Sequence, residues 1–178
     1  MDYSIRVPAN EERISILKTK ALDEEMLTKI KDYVFKPKGV KLSDFHPNDV
    51  CVRLREFLEG GNLASLAKIT TTHTEAGYTD EKEKLGEGKV DELLAKAEEL
   101  GYEKWGEFAT VSVQYSLDLE GEKVQVLSQE LGVVGTFLKI EAETQEGLKK
   151  TLELLEAGEG ERIEKNAAVL LGEKLGLI

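Results

Sequence analysis

From residue 50 to residue 143 the chain alternates apolar and polar side chains with period two in six stretches: 50–58, 63–71, 78–85, 107–118, 123–130 and 135–143. That alternation is the periodicity of strands, whose successive side chains point to opposite faces of a sheet. Gly60-Gly61 between the first pair and Glu120-Gly121 between the fourth and fifth read as hairpin turns. A seventh strand is expected at 13–19. Four other stretches repeat at helical spacing: Leu22 to Val34, Val90 to Leu100 with Gly101 as its stop, Leu148 to Leu155 with Thr144 as N-cap and Gly158 beyond its end, and about Arg162 to Leu175. Residues 36–49, with Pro37, Gly39 and Pro47, read as an irregular connection with room for a short strand. Hairpins rather than crossovers join most strands, so the expected class is α+β with a largely antiparallel sheet.

The two faces of these strands differ. In 50–58, Cys51, Arg53, Arg55 and Phe57 lie opposite Val50, Val52, Leu54 and Leu58. In 107–118, Phe108, Thr110, Ser112, Gln114 and Ser116 lie opposite Ala109, Val111, Val113, Tyr115 and Leu117. In 135–143, Phe137, Lys139, Glu141 and Glu143 lie opposite Thr136, Leu138, Ile140 and Ala142. Lys68 shares a face with Leu66 and Thr70, and Glu81 with Glu83. The apolar face is where helices pack. The polar face either meets water, as antiparallel sheets allow, or lines a barrel. In a lumen, guanidinium forks suit phosphate oxygens and carboxylates suit Mg²⁺.

The chain has 178 residues and a net charge of −11. So negative a surface repels nucleic acid in general, while leaving room for a local anion pocket. Apolar residues make up 40%, enough for one packed domain. The single cysteine, Cys51, excludes an internal disulfide. Nothing at the N-terminus resembles a signal peptide, and no apolar run approaches the ~18 residues of a membrane helix. A cytoplasmic protein without membrane attachment is expected.

The ordered motifs resemble the CYTH domain, the superfamily of class IV adenylyl cyclase, thiamine triphosphatase and inorganic triphosphatase, also called triphosphate tunnel metalloenzymes. Val52-Arg53-Leu54-Arg55-Glu56 resembles the family's L-R-x-R strand, Leu66-Ala67-Lys68 its T-x-K strand, and Glu81-Lys82-Glu83 its E-x-E strand. Leu100-Gly101-Tyr102 resembles the L-G-[FY] end of its central helix, and Leu131-Gly132 followed by Gly135 to Glu141 its L-G-x-F-[LV]-E-I-E strand. The resemblance implies a single domain over 1–178, with an eight-stranded antiparallel barrel over 13–143 and C-terminal helices over 144–178. It implies a triphosphate held by Lys18, Lys20, Arg53, Arg55, Lys68 and Lys139, and Mg²⁺ or Mn²⁺ held by Glu81, Glu83, Glu141 and Glu143, with Lys68 and Glu141 as the catalytic pair.

The departures fall on the charged face. The family's opening E-x-E-x-K has no glutamate in Ile14 to Lys20, where isoleucine or lysine stands in either register. Thr110 and Ser112 replace a basic pair, and Lys139 replaces the first glutamate of E-I-E. Three functions follow: metal-dependent hydrolysis of tripolyphosphate, thiamine triphosphate or a nucleotide; a cyclase-like activity on ATP; or a relative that binds a phosphorylated anion without turnover. A homodimer is among the expected assemblies. Gly86-Glu87-Gly88-Lys89 lacks the spacing of a phosphate loop and reads as a turn. His46 and His73 have no metal-ligand spacing, with His73 at a strand end near the tunnel mouth or in solvent. Cys51 reads as a small buried filler, although the neighbouring arginines could lower its pKa.

Overall fold

The structure is a computed structural model and describes residues 1–45, 47, 50–61 and 63–178. Its strands are β1 (Tyr3–Pro8), β2 (Asp23–Met26), β3 (Ile30–Pro37), β4 (Val50–Phe57), β5 (Leu63–His73), β6 (Tyr78–Lys89), β7 (Tyr102–Leu119), β8 (Glu122–Leu131) and β9 (Thr136–Ala142). Its helices are α1 (Glu11–Lys20), α2 (Val90–Glu99), α3 (Gln145–Leu154) and α4 (Ala167–Lys174). Every pairing is antiparallel. The order β7-β3-β4-β5-β6-β1-β9-β8 returns to β7, so the sheet closes. β2 continues the β3 edge along the far half of β7, leaving a barrel of eight staves. Closure removes the exposed edges of an open sheet. Among the described residues no helix is long and apolar enough to cross a membrane.

The turns follow from local chemistry. Glu120 and Gly121 both take positive φ, 57° and 89°, the geometry of a two-residue hairpin matched to strand twist. Gly101 (φ 87°) ends α2, and Thr144 caps α3 by accepting from the Gly147 N–H at 3.0 Å.

Outside the barrel, α3 lays Leu148, Leu152 and the adjoining Leu155 on Ile5, Val7, Leu138 and Ile140 in the main core. α2 lays Leu93 and Ala97 on Phe35, Val52, Leu54 and Leu66. Gly86 allows that contact, since a Cβ there would stand 2.9 Å from a Leu93 methyl.

Two expected elements are corrected. Residues 13–19 are not a strand but lie in α1. Asn10 accepts from the Arg13 N–H at 2.8 Å, Glu11 and Glu12 occupy the first turn, and buried Arg13 and Leu17 are one helical turn apart. Capping and the helix dipole outweigh a short apolar alternation. The barrel therefore opens at Tyr3 rather than at residue 13. Conversely, Leu22 to Val34 is not a helix but β2, a turn and β3. Ile30, Asp32 and Val34 face inward with period two; Ile30 and Val34, four apart, fit a helical stripe as well. The fourth helix is shorter than expected: 162–166 precede α4, with Ile163 bridged to Arg6 through both backbone bonds (3.1 and 2.8 Å). Of the 36–49 connection, β3 extends to Pro37 and Leu42–Asp44 form a short 3₁₀ turn. His46 lies outside the described residues.

Candidate functional site: a closed-end cationic tunnel

The inward faces of the staves enclose a cavity of about 410 Å³. β4 contributes Cys51, Arg53, Arg55 and Phe57, the face that the alternation placed together. β3 adds Asp32, β1 Arg6, β6 Tyr78, Asp80 and Lys82, and β9 Lys139 and Glu141. The adjacent staves β7 and β8 contribute no charge: their lining residues are Phe108, Thr110, Ser112, Leu127, Gln129 and Leu131.

One end is stopped by the chain itself. Asn166, Ala167 and Ala168, at the start of α4, line the cavity. Ala168 and Leu171 pack with Val34, Phe108 and Leu131. Gly106 lets α4 approach, since a Cβ there would come within 2.9 Å of Leu171 Cδ2. Toward the other end lie Ile30 and Phe57, which is 42% exposed.

Arg55 donates to both oxygens of Asp32 at 2.8 Å, a bidentate fork, and Arg53 Nε stands 4.0 Å from Asp32 Oδ1. Burial works to raise the Asp32 carboxyl, but the charge and hydrogen bonds of Arg55 outweigh it and hold the group below the usual carboxylate range. Lys139 pairs with Glu141 at 2.7 Å. Burial would raise Glu141 too, and Lys139 reverses that, so this carboxyl is also lowered. Lys139 itself is lowered by burial against the pull of Glu141. Burial and the charge of Arg53 lower Lys82. Arg6 donates to the Tyr78 hydroxyl at 2.7 Å and to the Lys165 carbonyl at 3.1 Å. Asp80 accepts from the Thr71 hydroxyl at 2.7 Å. Arg6 Nε, Arg53 Nε and Gln129 Oε1 are buried without a hydrogen-bond partner among the described residues. Burial pushes the Cys51 thiol up to about 12, so it is an inert filler.

Of the expected site residues, Arg53, Arg55, Lys139 and Glu141 come together in the tunnel. Lys18 and Lys20 do not, because they sit exposed on α1. Lys68 faces outward into a surface crevice with Phe45, Val52 and Tyr102. Glu81 and Glu83 are exposed on the outer face of β6, where the inward positions are Asp80 and Lys82. Glu143 lies exposed past the end of β9. His73 stands beside Glu164 at 3.8 Å, outside the tunnel lining. Gly86 to Lys89 belong to β6 and form no loop.

Sequence reasoning missed Arg6, Asp32, Asp80 and Lys82. Asp32 lay inside a false helix and Arg6 ahead of a false first strand. For β6 a signal existed: Leu85 shares the parity of Glu81 and Glu83 and packs in the cluster beneath α2, which puts that parity outside.

The fit to a divalent metal is poor. Mg²⁺ requires near-octahedral oxygen ligands, some from carboxylates. Here Asp32 is spent on Arg55 and Glu141 on Lys139, and among the described residues no group of three His, Cys, Asp or Glu could hold a metal ion.

No protein-family model and no curated protein matches the chain. Solved structures do. The PH1819 protein of Pyrococcus horikoshii OT3 is 19% identical with TM-score 0.70, over 98% of this chain and 99% of that one. A Vibrio parahaemolyticus protein described as a candidate adenylate cyclase is 13% identical with TM-score 0.65, over 96% and 98%. HpAC1 of Hippeastrum, described as a candidate adenylyl cyclase with a dominant triphosphatase activity, is 16% identical with TM-score 0.59, over 98% and 95%. The chain therefore has the CYTH-like tunnel fold that the motif resemblance implied.

Proposed function

We propose that the tunnel is a receptor for a phosphorylated small molecule, held by Arg6, Arg53, Arg55 and Lys139, and that it operates without metal-dependent turnover. One observation carries this reading. The described tunnel carboxylates are engaged by protein groups, while Arg6 Nε and Arg53 Nε are buried with no hydrogen-bond partner among the described residues. Buried donors without partners are costly, and an oxyanion repays them with charge-assisted bonds. A single thiol buried in the wall suits a reducing compartment such as the cytoplasm.

The test is thermal stability with tripolyphosphate, ATP and thiamine triphosphate, each with and without Mg²⁺ or Mn²⁺, with phosphate release read on the same samples. A receptor gains stability from the anion alone and releases no phosphate. Metal-dependent release would establish the second reading, triphosphate hydrolysis, which the Hippeastrum neighbour favours. That reading requires Glu141 to exchange Lys139 for a metal ion. Release of pyrophosphate and cyclic nucleotide from ATP would establish the cyclase reading.

A further inference from the structure

The tunnel's charge is countable. Among the described residues five cationic and three carboxylate side chains line it, a net charge of +2 in a chain of net charge −11. The Lys139–Glu141 pair contributes nothing to that balance, whether the shared proton sits on the amine or on the carboxylate. A phosphate monoester carries about −1.5 to −2 at pH 7, because its second pKa is about 6. The two therefore cancel. Each further phosphoryl group adds about one ionised oxygen, which nothing among the described lining residues neutralises.

The charge is also one-sided. The cations stand on β1, β4, β6 and β9, whereas β7 and β8, which are neighbours, offer only Thr110, Ser112, Gln129 and apolar side chains. Thr110 and Ser112 are 2% and 6% exposed, and Gln129 Oε1 is buried without a hydrogen-bond partner among the described residues. An inorganic polyanion leaves that wall unmatched, but an uncharged organic body fits it through hydrogen bonds and apolar contact.

Resting on the receptor reading, we infer that the ligand is the phosphate monoester of an uncharged organic molecule, its phosphate on the arginine side and its body against the β7–β8 wall. It is not a triphosphate.

The full chain is titrated calorimetrically in EDTA with inorganic phosphate, phenyl phosphate and tripolyphosphate. One site is expected, with phenyl phosphate about tenfold tighter than inorganic phosphate and tripolyphosphate no tighter than phenyl phosphate. Ser112→Lys adds a cation to the neutral wall. It should raise tripolyphosphate affinity relative to phenyl phosphate by about tenfold. Thr110→Lys replaces it if a melt shows that the first variant is unfolded. Tripolyphosphate binding tightest to the unmodified chain, or phenyl phosphate binding no better than inorganic phosphate, overturns the inference and leaves the receptor standing. An unchanged ranking in a folded lysine variant overturns it as well. Binding of none of the three removes both.

Discussion

The two faces of the barrel wall are built from the same strands and obey different rules. The outer face of β9 sends Leu138 and Ile140, both fully buried, under α3, while its inner face carries the ion-paired Lys139 and Glu141. On β4, Val52 and Leu54 are sealed beneath α2, while Arg53 and Arg55 face the cavity. Folding energy comes from the outer face, where apolar area leaves water at about 25 cal/mol per Å². The inner face spends part of that energy on burying charge, which desolvation makes costly unless partners compensate. A fold held from outside can therefore change its lumen chemistry without losing its shape.

The sharpest division between the faces comes from paired truncations. Ile140→Ala should cost about 3–4 kcal/mol in chemical denaturation and leave phosphate affinity of the folded protein within about twofold. The inner-face double variant Arg53→Ala/Arg55→Ala should abolish phosphate binding in calorimetry. Loss of binding in the folded Ile140 variant would dissolve the distinction.

Next in size is the Asp32–Arg55 pair. Arg55→Ala leaves a carboxylate of 2% exposure without its fork, which should cost about 2–3 kcal/mol. Adding Asp32→Ala should recover most of that, a coupling readable in a double-mutant cycle.

A smaller effect is the acid dependence. The folded-state pKa values of Asp32 and Glu141 lie below their unfolded values, so the unfolded chain binds protons more readily. Their contribution is present at neutral pH and is lost as pH falls through about 4 and below. Asp32→Asn should flatten that part of the stability profile; an unaltered slope would show that the pair does not govern it.

Smallest of all, Lys18→Ala, Lys20→Ala and Lys68→Ala should each change stability by no more than about 0.5 kcal/mol and leave phosphate binding unaltered. A loss of binding in the Lys68 variant would place that side chain inside the lumen.

How much of this was legible followed the same division. The strand-and-hairpin half from Val50 to Ala142 announced itself through period two, and Arg53, Arg55, Lys139 and Glu141 were readable because outward apolar neighbours set their parity. Residues 13–19 and 22–34 have apolar spacings that fit both periods, and the Asn10 cap and the pairing of β2 and β3 with β7 decide them. Lys68 was carried inward by motif resemblance although it shares the parity of Leu66, which is fully buried under α2. The α4 stopper depends on a close approach at Gly106, a tertiary fact with no local signature.

The central claim is that the inner face binds phosphate with protein cations alone. The most direct measurement is calorimetric titration of phenyl phosphate into the metal-stripped chain, with Arg53→Ala/Arg55→Ala alongside and Mg²⁺ added back at the end. One site in EDTA, no heat in the double variant and no gain from Mg²⁺ are expected. Binding that appears only with Mg²⁺, or that survives loss of both arginines, would contradict the claim.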